Sequence, residues 1–310
     1  MIGRLAAGVL GAGAACVAYG ALIEAHDFRV RRYQVPVLPR GADPFTVLHV
    51  SDIHLVPSQA RKRDFLRGLG GLEPDLVVTT GDNISSPQAV GPLMESLARL
   101  TDVPGVFVFG SNDYEGPRFK LPVGYLLGHS GRSLGDAGGE ASDLPTDELR
   151  AAFESVGWVD VDNQRAQIEV AGRTVHVRGT GDAHHHRDDY PAVAGPATPG
   201  VLNLGVTHAP YRRILDAMTA DGVELILAGH THGGQVCVPG KGALVTNCDL
   251  PREHASGMFG HKVGNRTAQV HVSAGVGMSP FAPYRFACPP EATLLTLTSR
   301  PADDGSGRPA

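Results

Sequence analysis

The sequence predicts an α/β fold in which both halves of the chain carry sheet and the helices lie outside it. Three observations support this. Between residues 45 and 109, short apolar runs alternate with helical stretches in a β-α-β-α-β rhythm. The alternation returns between residues 202 and 228. With 310 residues and 42% hydrophobic content, the chain can bury a full core as one large domain or two small ones.

In order along the chain, residues 5–23 (LAAGVLGAGAACVAYGALI) carry no charge and, at helical rise, are long enough for a bilayer core of about 30 Å. Residues 1–27 are therefore expected to be a transmembrane anchor, with a signal segment cut near Ala18 or Ala21 as the alternative. Gly13 disfavours lipid attachment at Cys16, because such sites favour a branched apolar residue there. Arg4 on one side, against Arg29, Arg31, Arg32 and Arg40 on the other, leaves the orientation undecided. Residues 28–43 read as a Pro-containing linker, residues 44–298 as the folded domain, and the polar residues 299–310 as a disordered tail.

Within the domain, residues 45–50, 76–79 and 106–109 read as buried strands, and residues 61–69 as a short helix. Ser86 followed by Pro87 is a cap and first-turn signature that opens a helix to about Leu100. Residues 116–147 are rich in Gly, Ser and Asp and read as a surface insertion ahead of a helix over 148–156. Residues 168–170 and 175–177 flank Gly172-Arg173 as a hairpin. Strands are expected at 202–206, 225–228, 236–238, 243–245, 269–272 and 294–298, with a helix over 211–219.

Charge and cysteine content exclude some functions. With 27 Lys+Arg against 32 Asp+Glu, the net charge of −5 offers no general attraction to phosphate backbones, so no nucleic-acid partner is expected. Cys16, Cys237, Cys248 and Cys288 form no CxxC pair and are too sparse for a disulfide scaffold or a structural zinc site. Free thiols are favoured, and pairing of Cys237 with Cys248 stays open.

The chemistry is at the strand ends. HVSDIHL presents Asp52 and His54, TTGDN presents Asp82, and FGSNDY presents Asn112; later, GVTHAP presents His208 and LAGHTHGG presents His230 and His232. In an α/β protein, ligands bind where the loops after the strands converge. Residues two apart in an extended segment point the same way, so Asp52 with His54, and His230 with His232, can each aim two ligands at one site. Two ions sharing a carboxylate, about 3.5–4 Å apart, would use such a set as a clamp for in-line displacement at phosphorus. The mixed imidazole and carboxylate donors suit Mn, Fe, Zn or Ni better than Ca or Mg. Gly81, Gly229 and Gly233 would let the backbone turn sharply and come close to an ion.

The order D-x-H, G-D-N, an Asn-containing turn, T-H and G-H-T-H resembles the calcineurin-like metallophosphoesterase superfamily over about residues 45–298. LAGHTHGGQV and SAGVGMSPFAPYRFACPPE resemble its membrane-associated bacterial branch of phosphodiesterases and UDP-2,3-diacylglucosamine hydrolase-like proteins. The resemblance implies a four-layer αββα sandwich. It also implies one ion held by Asp52, His54, Asp82 and His232, and a second held by Asp82, Asn112, His208 and His230. The implied activity is hydrolysis of phosphodiester or pyrophosphate bonds in a small molecule, a phospholipid or a lipid-linked nucleotide. Phosphomonoester or phosphoprotein hydrolysis, or a metal-binding scaffold with little turnover, are the alternatives.

One position departs from the family. Its motif has His directly after the Asn ligand, where this chain has Asp113, an acid of a different kind that ionises readily beside cations. His184, His185 and His186 are the nearest replacements for the missing proton donor, set against a solvated His-rich loop. Arg285 resembles the Arg of the family's C-terminal Pro-x-Arg region and is a candidate to bind phosphate, set against a surface ion pair.

Overall fold

The computed structural model describes residues 2–117 and 144–301, with side chains at residue 11 and from residue 13 onward. The expected insertion falls largely, and the expected tail mostly, outside the described residues. Fourteen strands are described: β1 (Arg29–Leu38), β2 (Phe45–Val50), β3 (Leu76–Thr79), β4 (Gly105–Phe107), β5 (Val159–Asp160), β6 (Arg165–Val170), β7 (Arg173–Thr180), β8 (Leu202–Thr207), β9 (Leu225–Ala228), β10 (Cys237–Val238), β11 (Gly242–Ala243), β12 (Gly257–Val263), β13 (Arg266–Val272) and β14 (Glu291–Ser299). The main helices are α1 (Ile2–Leu22), α2 (Ala60–Leu69), α3 (Val90–Leu97), α4 (Thr146–Ser155) and α5 (Arg212–Asp221).

The strands form two six-stranded sheets, in the orders β1-β14-β2-β3-β4-β5 and β12-β13-β9-β8-β7-β6, with β10 and β11 as a separate ribbon. The centre of each sheet is parallel, β2-β3-β4-β5 in one and β13-β9-β8-β7 in the other. Three apolar clusters define the layers. Val47, Val78 and Val106 of the first sheet meet Val177, Leu204 and Leu227 of the second between the sheets. Leu66, Leu93 and Phe153 cover the outer face of the first sheet at Leu48, Val50 and Phe107. Ile214, Leu215 and Met218 of α5 cover the second at Ile226 and Val270. The order is therefore helix, sheet, sheet, helix.

Local sequence signals explain the punctuation. Ser86 caps as expected, its hydroxyl accepting from the Gln88 amide, with Pro87 at the first position. Ala171 and Gly172, at φ 50° and 72°, make the two-residue turn between β6 and β7.

The region expected to be a linker proves to be mostly strand. β1 pairs in parallel with β14 from Arg29 to Leu38, burying Val35, Val37 and Leu38. Pro36 is tolerated because β1 is an edge strand, with one side free of ladder bonds. The backbone of α1 is helical as expected. Among the described residues no helix is long and apolar enough to cross a membrane, and much of the expected anchor falls on side chains outside that set. All four cysteines are free; Cys237 neighbours Cys288, whereas Cys248 packs elsewhere.

Candidate metal centre

The loops after β2, β3, β4, β8 and β9 converge at the carboxyl ends of the parallel strands and bring the seven expected ligands together. Asp52, His54, Asp82 and His232 each place a ligand atom within 4.8 Å of the others, a group that could hold a metal ion. His54 Nε2 stands 3.4 Å from Asp82 Oδ2, and His232 Nε2 stands 3.7 Å from Asp52 Oδ1. The other carboxylate oxygen of Asp82, Oδ1, lies 3.6 Å from His208 Nε2. His208 Nε2 is in turn 3.2 Å from His230 Nδ1, and Asn112 donates to Asp82 from its amide at 2.8 Å and from Nδ2 at 2.7 Å. Asp82 thus touches both groups of imidazoles.

The backbone aims these side chains differently from a strand. Asp52, His54, Asp82, His230 and His232 have φ of 50°, 46°, 55°, 71° and 51°, in the left-handed region that costs non-glycine residues on the order of 1–3 kcal/mol each. This corrects the extended geometry expected from the spacing. Left-handed residues alternate with Ile53, which is fully buried, and with Thr231, whose hydroxyl donates to the Ala255 carbonyl at 2.6 Å. Cross-loop bonds hold the strain: the amides of Asp52 and His54 donate to the Gly81 and Asp82 carbonyls. Close approach, rather than a turn, explains Gly229 and Gly110. A Cβ on Gly229 would collide with Ser51 and the Asp52 carboxylate, and one on Gly110 with Asp82 and His208.

A cation fits these donors. His54 Nδ1 meets the Ser85 hydroxyl at 3.1 Å, His208 Nδ1 the Thr80 carbonyl at 2.7 Å, and His232 Nδ1 the Gly277 carbonyl at 3.2 Å, so each turns Nε2 inward. His230 is reversed, with Nε2 on the Asn247 carbonyl at 3.3 Å and Nδ1 inward. His54 Nε2 is buried without a hydrogen-bond partner. Burial raises Asp52 and Asp82 above the usual carboxylate range and holds His54 and His230 well below the usual imidazole value. Burial also lowers His208, but Asp82, Asp182 and Asp52 outweigh it and lift that ring to about 9. A divalent ion would return both carboxylates to the ionised form.

Residues 45–234 match the calcineurin-like phosphoesterase family. The chain belongs to that family. It is similar to the uncharacterized metallophosphoesterase YkuE of Bacillus subtilis, with 26% identity covering 96% of this chain and 95% of that one. It is also similar to the phosphodiesterase YaeI of Escherichia coli, with 25% identity covering 87% and 88%. A third relative, the transmembrane protein with metallophosphoesterase domain of Bos taurus, is 28% identical over 91% of this chain and 60% of its own length. The chain is accordingly a metal-dependent phosphoric ester hydrolase.

Two expected site residues of this phosphoesterase serve its framework instead. The carboxylate of Asp113 accepts from the amides of Asn83 at 2.7 Å, Ile84 at 3.3 Å and Gly110 at 3.1 Å, and from Asn83 Nδ2 at 3.2 Å. It braces the Asp82 loop against the Asn112 loop as an acceptor. Burial, reinforced by Asp82, pushes its carboxyl up to about 7. Arg285 is fully buried, and its terminal nitrogens donate to the carbonyls of His232, Ala274, Gly275, Gly277 and Cys288. No terminal nitrogen is left over for a phosphate, and the surface ion pair is equally ruled out. The loop histidines divide. His184 packs its ring 4.5 Å from that of His230 and meets the Tyr211 hydroxyl at 2.8 Å, His185 holds Asp182 at 2.9 Å, and His186 is exposed.

Other supporting residues lie outside the set to which the motifs point. Ser51 donates to Asp52 at 2.5 Å, Thr80 to Ser51 at 2.6 Å, and His49 spans Thr80 and His271 at 2.9 Å each, a buried chain that fixes the Asp52 carboxylate. Lys62 is buried, pushed down to about 7 by desolvation, and donates to the Ile53 and His54 carbonyls. Within Arg61-Lys62-Arg63 it looks like part of a solvated basic face. Asp182 does leave a signal: Thr180-Gly181-Asp182 repeats the Thr80-Gly81-Asp82 pattern at the end of another parallel strand.

Proposed function

We propose that the protein hydrolyses phosphodiester or pyrophosphate bonds with two divalent transition-metal ions, one on Asp52, His54, Asp82 and His232 and the other on Asp82, Asn112, His208 and His230. The observation that carries this is Asp82, with one oxygen facing His54 and the other facing His208. When bound, such ions supply Lewis-acid polarisation of the phosphoryl oxygens and an activated water. The chain's own groups orient the imidazoles, and His184, held by Tyr211 beside His230, supplies the proton to the leaving group that Asp113 does not. The phosphodiesterase relative supports diesters over monoesters.

A lipid or lipid-linked nucleotide fits a chain attached to a membrane through α1. Val17, Leu22 and Ile23 of that segment are exposed, as is Phe281, while Gly20 and Glu24 tie its end to Arg285 and Cys288. Full-length protein should stay in the membrane fraction through carbonate washing, and its release would remove the anchor.

Substrate class is tested with the full chain and Mn²⁺ on diester, monoester and nucleotide-sugar lipid substrates. Diester or pyrophosphate turnover should lead, and faster monoester turnover would overturn the assignment. His184→Ala should slow alkyl esters by about 10²–10⁴-fold, the usual worth of a general acid, and nitrophenyl esters much less. Equal losses on both would remove His184 as the donor.

A further inference from the structure

Against the His232 turn lies a second chemically distinct group. Cys237 and Cys288 pack together with Ala274 in a small cluster of their own. Both sulfurs converge on one acceptor, the Gly233 carbonyl, at 3.2 Å and 3.6 Å. Cys288 Sγ also meets the His232 carbonyl at 3.3 Å and stands 3.8 Å from Arg285. The pair is reachable: Cys237 and Cys288 keep 8% and 7% exposure and line a cavity of about 190 Å³ with Gly233, Ala243 and Ala274.

We propose that Cys237 and Cys288 form a thiol-oxidation site that closes to a disulfide under peroxide and disturbs the His232–Gly234 turn. The Cys288 sulfur takes one oxygen of hydrogen peroxide as the O–O bond breaks, leaving a sulfenic acid and one water. The Cys237 sulfur then displaces the hydroxyl as a second water, and the S–S bond forms. Two thiols are oxidised and one peroxide is reduced to two waters. Covalent closure draws the two sulfurs to about 2.0 Å and removes both S–H donors, so the bonds to the Gly233 and His232 carbonyls are lost. The site goes beyond the proposed phosphoesterase function and does not depend on it.

The test uses the full-length, metal-free protein exposed to hydrogen peroxide, followed by alkylation, digestion and mass spectrometry. A peptide joining Cys237 to Cys288 and lighter by two hydrogens is expected, and dithiothreitol should reverse it. Hydrogen exchange of the amides of residues 233–237 should quicken by about ten-fold, because local opening becomes easier. Cys237→Ala should stop Cys288 at the sulfenic acid, trapped by dimedone, while Cys248→Ala should leave closure intact. No crosslink, a crosslink to Cys248 or between chains, or closure with unchanged exchange would overturn the proposal. The wild-type peptide map decides the pairing even if Cys237→Ala fails to fold.

Discussion

Asp82→Asn is expected to remove activity and bound metal together while sparing the metal-free fold. Metal content should fall from about two ions per chain to one or fewer, because this carboxylate faces both groups of imidazoles. The kcat/KM should drop by at least about 10²–10³-fold, the scale for losing a preorganised electrostatic element of a site. Stability without metal should run the other way. Burial raises the Asp82 carboxyl above its unfolded value, so its contribution to stability is fully present at acid pH below that value and is lost as pH rises through the folded value. At neutral pH, above the unfolded value, this contribution is reduced in the metal-free fold, and an amide that does not titrate avoids that loss. Elemental analysis, kinetics and a urea melt at pH 7 of metal-free protein check the three parts. Two ions retained with full activity would refute the bridging role, and a less stable metal-free variant would refute the electrostatic account.

Arg285→Met is expected to destabilise the whole domain. The guanidinium donates to five backbone carbonyls in loops that carry His232 and pack beneath Asp52, and a hydrocarbon leaves those of Ala274 and Cys288 without a donor and takes one donor from each of His232, Gly275 and Gly277. Each unsatisfied buried group costs on the order of 1–3 kcal/mol, so even with water entering, a loss of at least about 3 kcal/mol is expected. For a domain of this size that lowers Tm by roughly 6–12 °C. Arg285→Lys should recover only part of the loss, because one ammonium cannot reach acceptors on both arms of the planar fork. A Tm unchanged in both variants together with a raised KM would restore Arg285 to substrate binding.

Residues with strong local signals are legible in the amino-acid sequence alone. The central strands β3, β4 and β9 lie in continuous apolar runs because both their faces are buried, and Asp82, Asn112 and His230 follow where those runs end. The three strands that the sequence pattern does not reveal, β1, β5 and β12, are all sheet edges, where polar residues alternate or the pairing is too short to leave a period. β1 becomes a strand through β14, whose Glu291 binds Arg31 across 260 residues of sequence. The aim of the ligands is likewise hidden, since left-handed φ at Asp52 and His230 is imposed by bonds between separate loops. Arg285, Asp113 and the Cys237–Cys288 pair make the same point. Their residue types leave open a phosphate clamp, an acid and a pairing with Cys248, whereas burial and neighbours make a strut, a loop brace and two adjacent free thiols. Sequence by itself determined the order of the elements and which side chains offer donors, because both are local properties. Tertiary structure decided which donors face a cation and which are spent on carbonyls, because desolvation and partner choice depend on what packs against a residue from the other end of the chain.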